Sequence, residues 1–168
     1  MLGTVVDHAA LIDTMCRRAN PELRSELLRV GALYEEFAGW LYQNAGNAPA
    51  ALWWSDRAIE RAQQADDELV TSFHLMRKAQ LAMDARDAST TVGLAQAAQR
   101  SGRLTASVRA AAAQQEAHGH ALGGNLRESE RKFEEVFWPQ RPSRARGSSP
   151  TSAVSARRRT SRRSSPPL

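Results

Sequence analysis

Apolar residues recur at helical spacing along the chain as far as Trp138. The first such stretch covers residues 4–18, where Thr4 precedes the apolar positions and is predicted to cap a helix. Intervals of four, three and four place the apolar residues on one helix face. These residues are Val5, Ala9, Ile12 and Cys16.

A second helix is expected to begin at Pro21, because the residue before a proline avoids the α region and proline suits the first helical turn. The periodic pattern then continues to about Ala45. Gly46–Asn47 is predicted to end the helix, since glycine adopts the left-handed conformation found at helix ends, and Asn47 is expected to cap the next helix. The positions that keep the helical spacing are Leu23, Leu27, Val30, Leu33 or Tyr34, Phe37 and Leu41.

Three similar segments end in turns at residues 46, 86 and 124, and each is followed by an alanine-rich stretch with helical pattern. The spacings of 40 and 38 residues are typical of stacked helical hairpins. We therefore predict an all-α protein, an α-solenoid of about seven helices in roughly three hairpins, over residues 1–138. The three segments are Gly39–Asn47, Ala79–Asp87 and Ala117–Asn125.

The composition changes abruptly at Pro139. Residues 139–168 contain almost no apolar side chains, so this segment is predicted to be a disordered tail rich in Arg, Ser and Pro. It holds eight arginines and no acidic residue; without them the net charge of +5 becomes −3 for residues 1–138. Non-specific nucleic-acid binding through the tail is thus one alternative, whereas the body is not charged to neutralise phosphates.

The amino terminus and the cysteine content indicate a soluble cytoplasmic protein. Cys16 is the single cysteine, so an intramolecular disulfide is excluded. The first residues lack the basic and long apolar regions of a signal peptide, and no uncharged stretch has the length of a membrane span. We expect no membrane association.

The first repeat unit has Gly39, Tyr42, Gly46, Ala51 and Ala58 at positions that resemble those of a tetratricopeptide repeat. The pattern of that family asks for a small residue facing the partner helix, an aromatic three residues later, a glycine before the turn and two alanines in the second helix. The later units are degenerate versions of it. The resemblance implies a tetratricopeptide-like superhelix of hairpins.

A second resemblance lies in Leu33–Gly46, Leu52–Ala58 and Met76–Ala82. Through these segments, residues 21–137 resemble the carboxy-terminal module of bacterial transcription regulators that carry an amino-terminal Cro/repressor-type helix-turn-helix. About twenty residues precede Pro21, too few for such a DNA-binding domain, so we expect no specific DNA binding by this chain. The resemblance implies a sensor or interaction module that binds a protein or peptide.

In tetratricopeptide folds the first helix of each hairpin lines a concave groove, and the resemblance assigns eight residues to it. Such a mixed apolar and amide surface suits an amphipathic helix or an extended peptide. The alternative is that the aromatic and methionine residues among them are core residues. The eight are Glu36, Trp40, Gln43, Phe73, Met76, Gln80, Gln114 and His118.

Trp53 and Trp54 offer another contact surface. Adjacent helical residues diverge by about 100°, so one ring is expected to pack near Trp40 or Leu41 while the other faces solvent or a partner. A homodimerisation scaffold is therefore a further alternative. Both rings packing against the first helix is the competing interpretation.

No motif in the sequence indicates an enzyme, a cofactor or a metal. His118 and His120 stand at positions i and i+2, about 200° apart on a helix, so they do not share a metal ion. Gly123–Gly124 follows a helix rather than a strand, unlike a phosphate-binding loop, and no serine lies in a nucleophile elbow. We expect a non-enzymatic binding protein without cofactors.

Overall fold

The computed structural model describes residues 2–137, which form seven α-helices and no β-strand. The prediction of an all-α protein is confirmed for these residues, and the tail predicted to be disordered lies outside them. None of the seven helices is both long and apolar enough to span a bilayer. The helices are α1 (Leu2–Cys16), α2 (Pro21–Asn44), α3 (Ala48–Gln64), α4 (Glu68–Asp84), α5 (Ala88–Ala98), α6 (Ala106–Leu122) and α7 (Leu126–Phe137).

One turn geometry recurs between the helices. At the end of α2, Gly46 has a φ of 73°, and the N–H of Asn47 donates to the carbonyl of Tyr42 at 2.9 Å. The Asn47 side chain then accepts from the N–H of Ala50 at 3.1 Å, which caps α3. The predicted turns at residues 46, 86 and 124 are thus confirmed. The same arrangement occurs at Asp66–Asp67, Arg86–Asp87 and Gly124–Asn125.

The start of α2 also agrees with the sequence, whereas the start of α1 does not. Asn20 accepts a hydrogen bond from the N–H of Leu23 at 2.9 Å, and Pro21 is the first helical residue. The prediction that Thr4 caps the first helix is wrong, because Leu2 and Gly3 are already helical and Thr4 lies inside α1.

Consecutive helices pack against one another along the whole described chain. In addition α2 contacts α4, and α4 contacts α6, whereas α3, α5 and α7 make no backbone contact with each other within residues 2–137. Small residues lie where α2 meets α3, and there Ala38 and Ala51 are fully buried. A Cβ on Gly39 would lie 3.2 Å from the Ser55 hydroxyl and 3.3 Å from the Ala51 carbonyl oxygen, so a larger residue there would require these groups to shift.

A buried ion network ties α1, α2 and α3 together. Glu35 on α2 is fully buried and accepts from Arg61 Nε at 3.0 Å and from Arg57 Nε at 3.0 Å, both on α3. Asp13 on α1 completes the network, 3.1 Å from Arg57. Burial alone lowers the pKa of Arg61, but the charges and hydrogen bonds of Glu35 and Asp13 outweigh this effect and raise it.

Space for Arg61 exists because residue 31 of α2 is glycine. A Cβ at Gly31 would lie 2.6 Å from Arg61 Cδ and 2.9 Å from Arg61 Cζ. The Arg61 side chain cannot move aside for this Cβ, because Glu35 holds its guanidinium. The ion network therefore depends on this glycine.

A second buried carboxylate joins the last three helices. Glu116 on α6 is 3% exposed and accepts from Gln99 at 2.8 Å, from Gln96 at 3.1 Å and from Lys132 at 2.9 Å. Burial raises the pKa of Glu116, but the hydrogen bonds and the charge of Lys132 together lower it below the ordinary glutamate value. The carboxylate form is thus the one that the fold stabilises.

Gly31→Ala is expected to lower the free energy of unfolding by about 3 kcal/mol, because the new methyl group displaces Arg61 and leaves Glu35 buried without its partner. Gly93→Ala is the matched control: Gly93 lies in α5 with open space around it, and the substitution is expected to raise stability by about 0.5–1 kcal/mol. Urea unfolding followed by circular dichroism measures both. Equal effects of the two substitutions would contradict the packing described for Arg61.

Glu116→Gln is expected to destabilise the protein by about 1–3 kcal/mol at pH 7. A lowered folded-state pKa contributes stability that is present above the unfolded-state value of about 4.3 and is lost as pH falls through the folded-state pKa. The difference between wild type and Glu116→Gln should therefore shrink as pH falls below about 4.3. Urea unfolding between pH 7 and pH 3 tests this, with the exposed Glu130→Gln as a control that should stay near wild type. A difference independent of pH would contradict the assignment.

Candidate functional site

Helix α2 carries a stripe of exposed apolar side chains. The faces of α2 that contact α1 and α3 bury residues such as Leu28, Glu35 and Ala38. The exposed stripe lies on a different flank, with intervals of seven, three, four and three residues, which keeps it on one side of the helix. Its members, with their exposed fractions, are Leu23 (50%), Val30 (42%), Leu33 (53%), Phe37 (41%) and Trp40 (45%).

Phe37 and Trp40 form the aromatic end of this stripe. Their rings are stacked, with centroids 5.8 Å apart and an interplanar angle of 12°. The two rings therefore contact each other while both side chains stay partly exposed. Rigid exposed aromatics of this kind are typical anchors of protein interfaces.

Helix α1 extends the apolar surface on one side. The His8 ring on α1 meets the Tyr34 ring on α2 edge-on at 5.6 Å, while Asp13 faces α3. Leu11 and Met15 are three and seven residues after His8, so they lie on the side of α1 nearer to α2. They are 56% and 45% exposed. We call these seven residues the α1–α2 apolar surface: Leu11, Met15, Leu23, Val30, Leu33, Phe37 and Trp40.

On its other side the stripe borders a polar cluster between α2 and α4. Arg77 on α4 donates from Nε to Glu36 at 2.8 Å and from Nη2 to Gln43 at 3.4 Å, and it also hydrogen-bonds Gln80. Gln43 donates in turn to Asp84 at 2.6 Å. Three of the eight predicted groove residues therefore come together on Arg77, where their polar groups bind one another and fix α2 relative to α4.

A buried histidine lies behind this cluster. His74 is fully buried, and its Nδ1 is 3.6 Å from Glu36 Oε2. Neither ring nitrogen of His74 has a hydrogen-bond partner within the described residues. Its ring contacts Phe73 at 5.5 Å.

The remaining predicted groove residues are dispersed. Met76 is 8% exposed and belongs to a core cluster, against which Phe73 packs, so these two residues follow the alternative interpretation of core packing. His118 on α6 packs its ring on Phe133 of α7 at 5.5 Å. Gln114 is exposed on α6. Trp40 alone among the predicted apolar groove residues lies on the surface.

The two adjacent tryptophans differ in exposure as expected, although their rings touch edge-on with centroids 4.7 Å apart. Trp54 is 8% exposed and packs with Val5, Ala9 and the nearby Leu41, whereas Trp53 is 53% exposed. Arg57 lies over the Trp53 ring at 5.0 Å from its centroid. Because Trp54 is part of the core, only Trp53 is available for a contact from this pair.

A cavity of about 370 Å³ opens between α1, α2 and α3. Arg57 and Arg61 line it, but their charges are already neutralised by Glu35 and Asp13. Within the part of the chain that the structure describes, no three His, Cys, Asp or Glu side chains are grouped to hold a metal ion.

A comparison with protein-family models, curated proteins and solved structures found no match to this chain.

Arg77→Leu is expected to lower the free energy of unfolding by about 3 kcal/mol, because it leaves the largely buried Glu36 carboxylate without its cation. Arg131→Leu on α7 removes an arginine whose side chain is 56% exposed and should change stability by less than about 1 kcal/mol. Urea unfolding of both variants measures the two changes in the free energy of unfolding. If Arg77→Leu lowers the free energy of unfolding as little as Arg131→Leu does, the polar cluster does not hold α2 against α4.

Proposed function

We propose that this chain is a non-enzymatic, tetratricopeptide-like α-solenoid of about three hairpins that binds another protein through α1 and α2. The observation that carries the proposal is the α1–α2 apolar surface, on which seven large apolar side chains are 41–56% exposed. Exposed apolar side chains that are grouped together mark interaction sites, whereas singly scattered ones are ordinary on protein surfaces.

Two features of the packing support the solenoid. One turn geometry repeats at four helix ends, so successive hairpins are built alike. Helices α2, α4 and α6 contact one another in series while α3, α5 and α7 do not, as expected when alternate helices line the inner and outer sides of a superhelix.

Preorganisation supports a role in recognition. Binding costs less when the contact residues are already held in place. Glu35 and Arg61 hold α2 against α3, while Arg77 holds it against α4. The stacked Phe37 and Trp40 rings are therefore presented from a rigid helix, which suits the capture of an amphipathic helix through aromatic anchors.

The place of the module in transcriptional regulation rests on the resemblance of residues 21–137 to regulator modules. In a transcriptional regulator, the α1–α2 apolar surface is where this module contacts another protein. We propose no chemical step and no cofactor for the chain.

A photo-crosslinking amino acid at position 40, placed in the full chain in its native cells, is expected to give a covalent adduct with a protein. The matched control is position 126 on α7, where Leu126 is 64% exposed but isolated from the α1–α2 apolar surface. The adduct yield should be at least about tenfold higher at position 40, and Phe37→Ala should reduce it because the stacked ring is lost. Mass spectrometry identifies the captured chain. Equal yields at the two positions, or no adduct at position 40, would reject the proposed function.

A further inference from the structure

We infer that the partner on the α1–α2 apolar surface is a second copy of this chain, with α2 packed antiparallel against α2 of the other copy about a two-fold axis. This inference rests on the proposed function and names the partner of that site. It goes further in fixing a register, which follows from the spacing and the chemistry of the stripe.

The stripe has heptad spacing. Leu23, Val30 and Phe37 are seven residues apart, as are Leu33 and Trp40. Together they occupy the two positions of each heptad that form the seam between paired helices. From Leu23 to Trp40 the seam spans roughly 26 Å, about five helical turns. The only seam position with a polar residue is Glu26.

This seam is complementary to itself in one orientation. A two-fold axis between Val30 and Leu33, perpendicular to the helices, places Val30 opposite Leu33 of the second copy at the centre. The same operation pairs Leu23 with Trp40 of the second copy, near the ends. Apolar residues therefore meet apolar residues in the two central and the two outermost layers, as an isologous interface requires.

The position of Glu26 selects this orientation over the parallel one. A parallel pairing in register would place Glu26 opposite Glu26 of the second copy, with like charges in the seam. In the antiparallel register Glu26 instead lies beside Phe37 of the second copy. There it meets no second carboxylate, and its own charge is paired with Arg29 on the same helix at 2.6 Å.

Leu11 and Met15 add to the contact from the side. They lie on the flank of α1 nearer to α2, so a second copy seated on α2 would cover them as well. An interface of ordinary size buries about 800 Å² on each partner and concentrates its charge-free residues at the centre. On the α1–α2 apolar surface the two central residues, Val30 and Leu33, are uncharged.

Light scattering after size-exclusion chromatography of the full chain tests the inference. The wild-type chain at about 50 μM is expected to have twice the mass of one chain. Leu33→Glu should raise the dimer dissociation constant at least about 100-fold and yield monomers with unchanged helical circular dichroism, since Leu33 is 53% exposed. Leu126→Glu, on the exposed start of α7, should remain dimeric. A monomeric wild type, or a dimer that persists in Leu33→Glu, overturns the inference.

The register is tested by a charge pair. Val30→Lys and Leu33→Glu should each give monomers, whereas the double variant Val30→Lys/Leu33→Glu should dimerise again, because each lysine then faces a glutamate of the other copy. In a parallel dimer the double variant would oppose lysine to lysine and glutamate to glutamate, and would stay monomeric. Failure of the double variant to dimerise overturns the antiparallel register.

The outcomes separate this inference from the proposed function. A monomeric wild type whose position 40 still crosslinks to a different protein rejects the second copy and leaves the proposed function in place. A monomer without any adduct rejects both.

Discussion

The buried contact between Glu35 and Arg61 determines how α2 sits in the molecule. A fully buried carboxylate is tolerated only beside its cation, so α2 is held in the rotation that points Glu35 toward α3. Gly31 is part of the same constraint, because a larger residue would occupy the space of the Arg61 guanidinium. Leu33 and Phe37 stand two residues from Glu35, about 200° around the helix, and are therefore turned to the outside. The exposed apolar stripe follows from where the charge is buried.

Further contacts fix the positions of the helices that follow α2. The repeated turn sets the direction of each following helix, and Arg77 connects α2 to α4 through Glu36 and Gln43. Glu116 does the same for the last three helices through Gln99 and Lys132. The surface on α2 is thus backed by a rigid frame. A rigid apolar surface loses little conformational entropy on binding, which connects the packing of the core to the proposed role in recognition.

The features that depend on neighbouring residues were predictable from the sequence. Turns and caps such as Gly46–Asn47 and Asn20–Pro21 are set by local backbone preferences, and they appear where expected. The rotation of α2 about its own axis was not predictable from local backbone preferences. Its apolar residues lie on two flanks, so the expected stripe combined the half-buried Leu27 and Leu41 with the exposed Leu23, Val30 and Phe37.

Contacts across repeats were also missed. Glu36 and Arg77 are 41 residues apart, and nothing in the local pattern around either residue marks the other as its partner. For the same reason the eight groove residues transferred from the resemblance did not all reach one surface: Met76 faces the core and His118 faces α7. Carbene footprinting of the full chain at a concentration where it is monomeric tests the orientation of α2 most directly. The account requires strong labelling of Trp40 and weak labelling of Trp54, in line with exposed fractions of 45% and 8%. Equal labelling of the two tryptophans, or protection of Trp40 in the monomer, would contradict it.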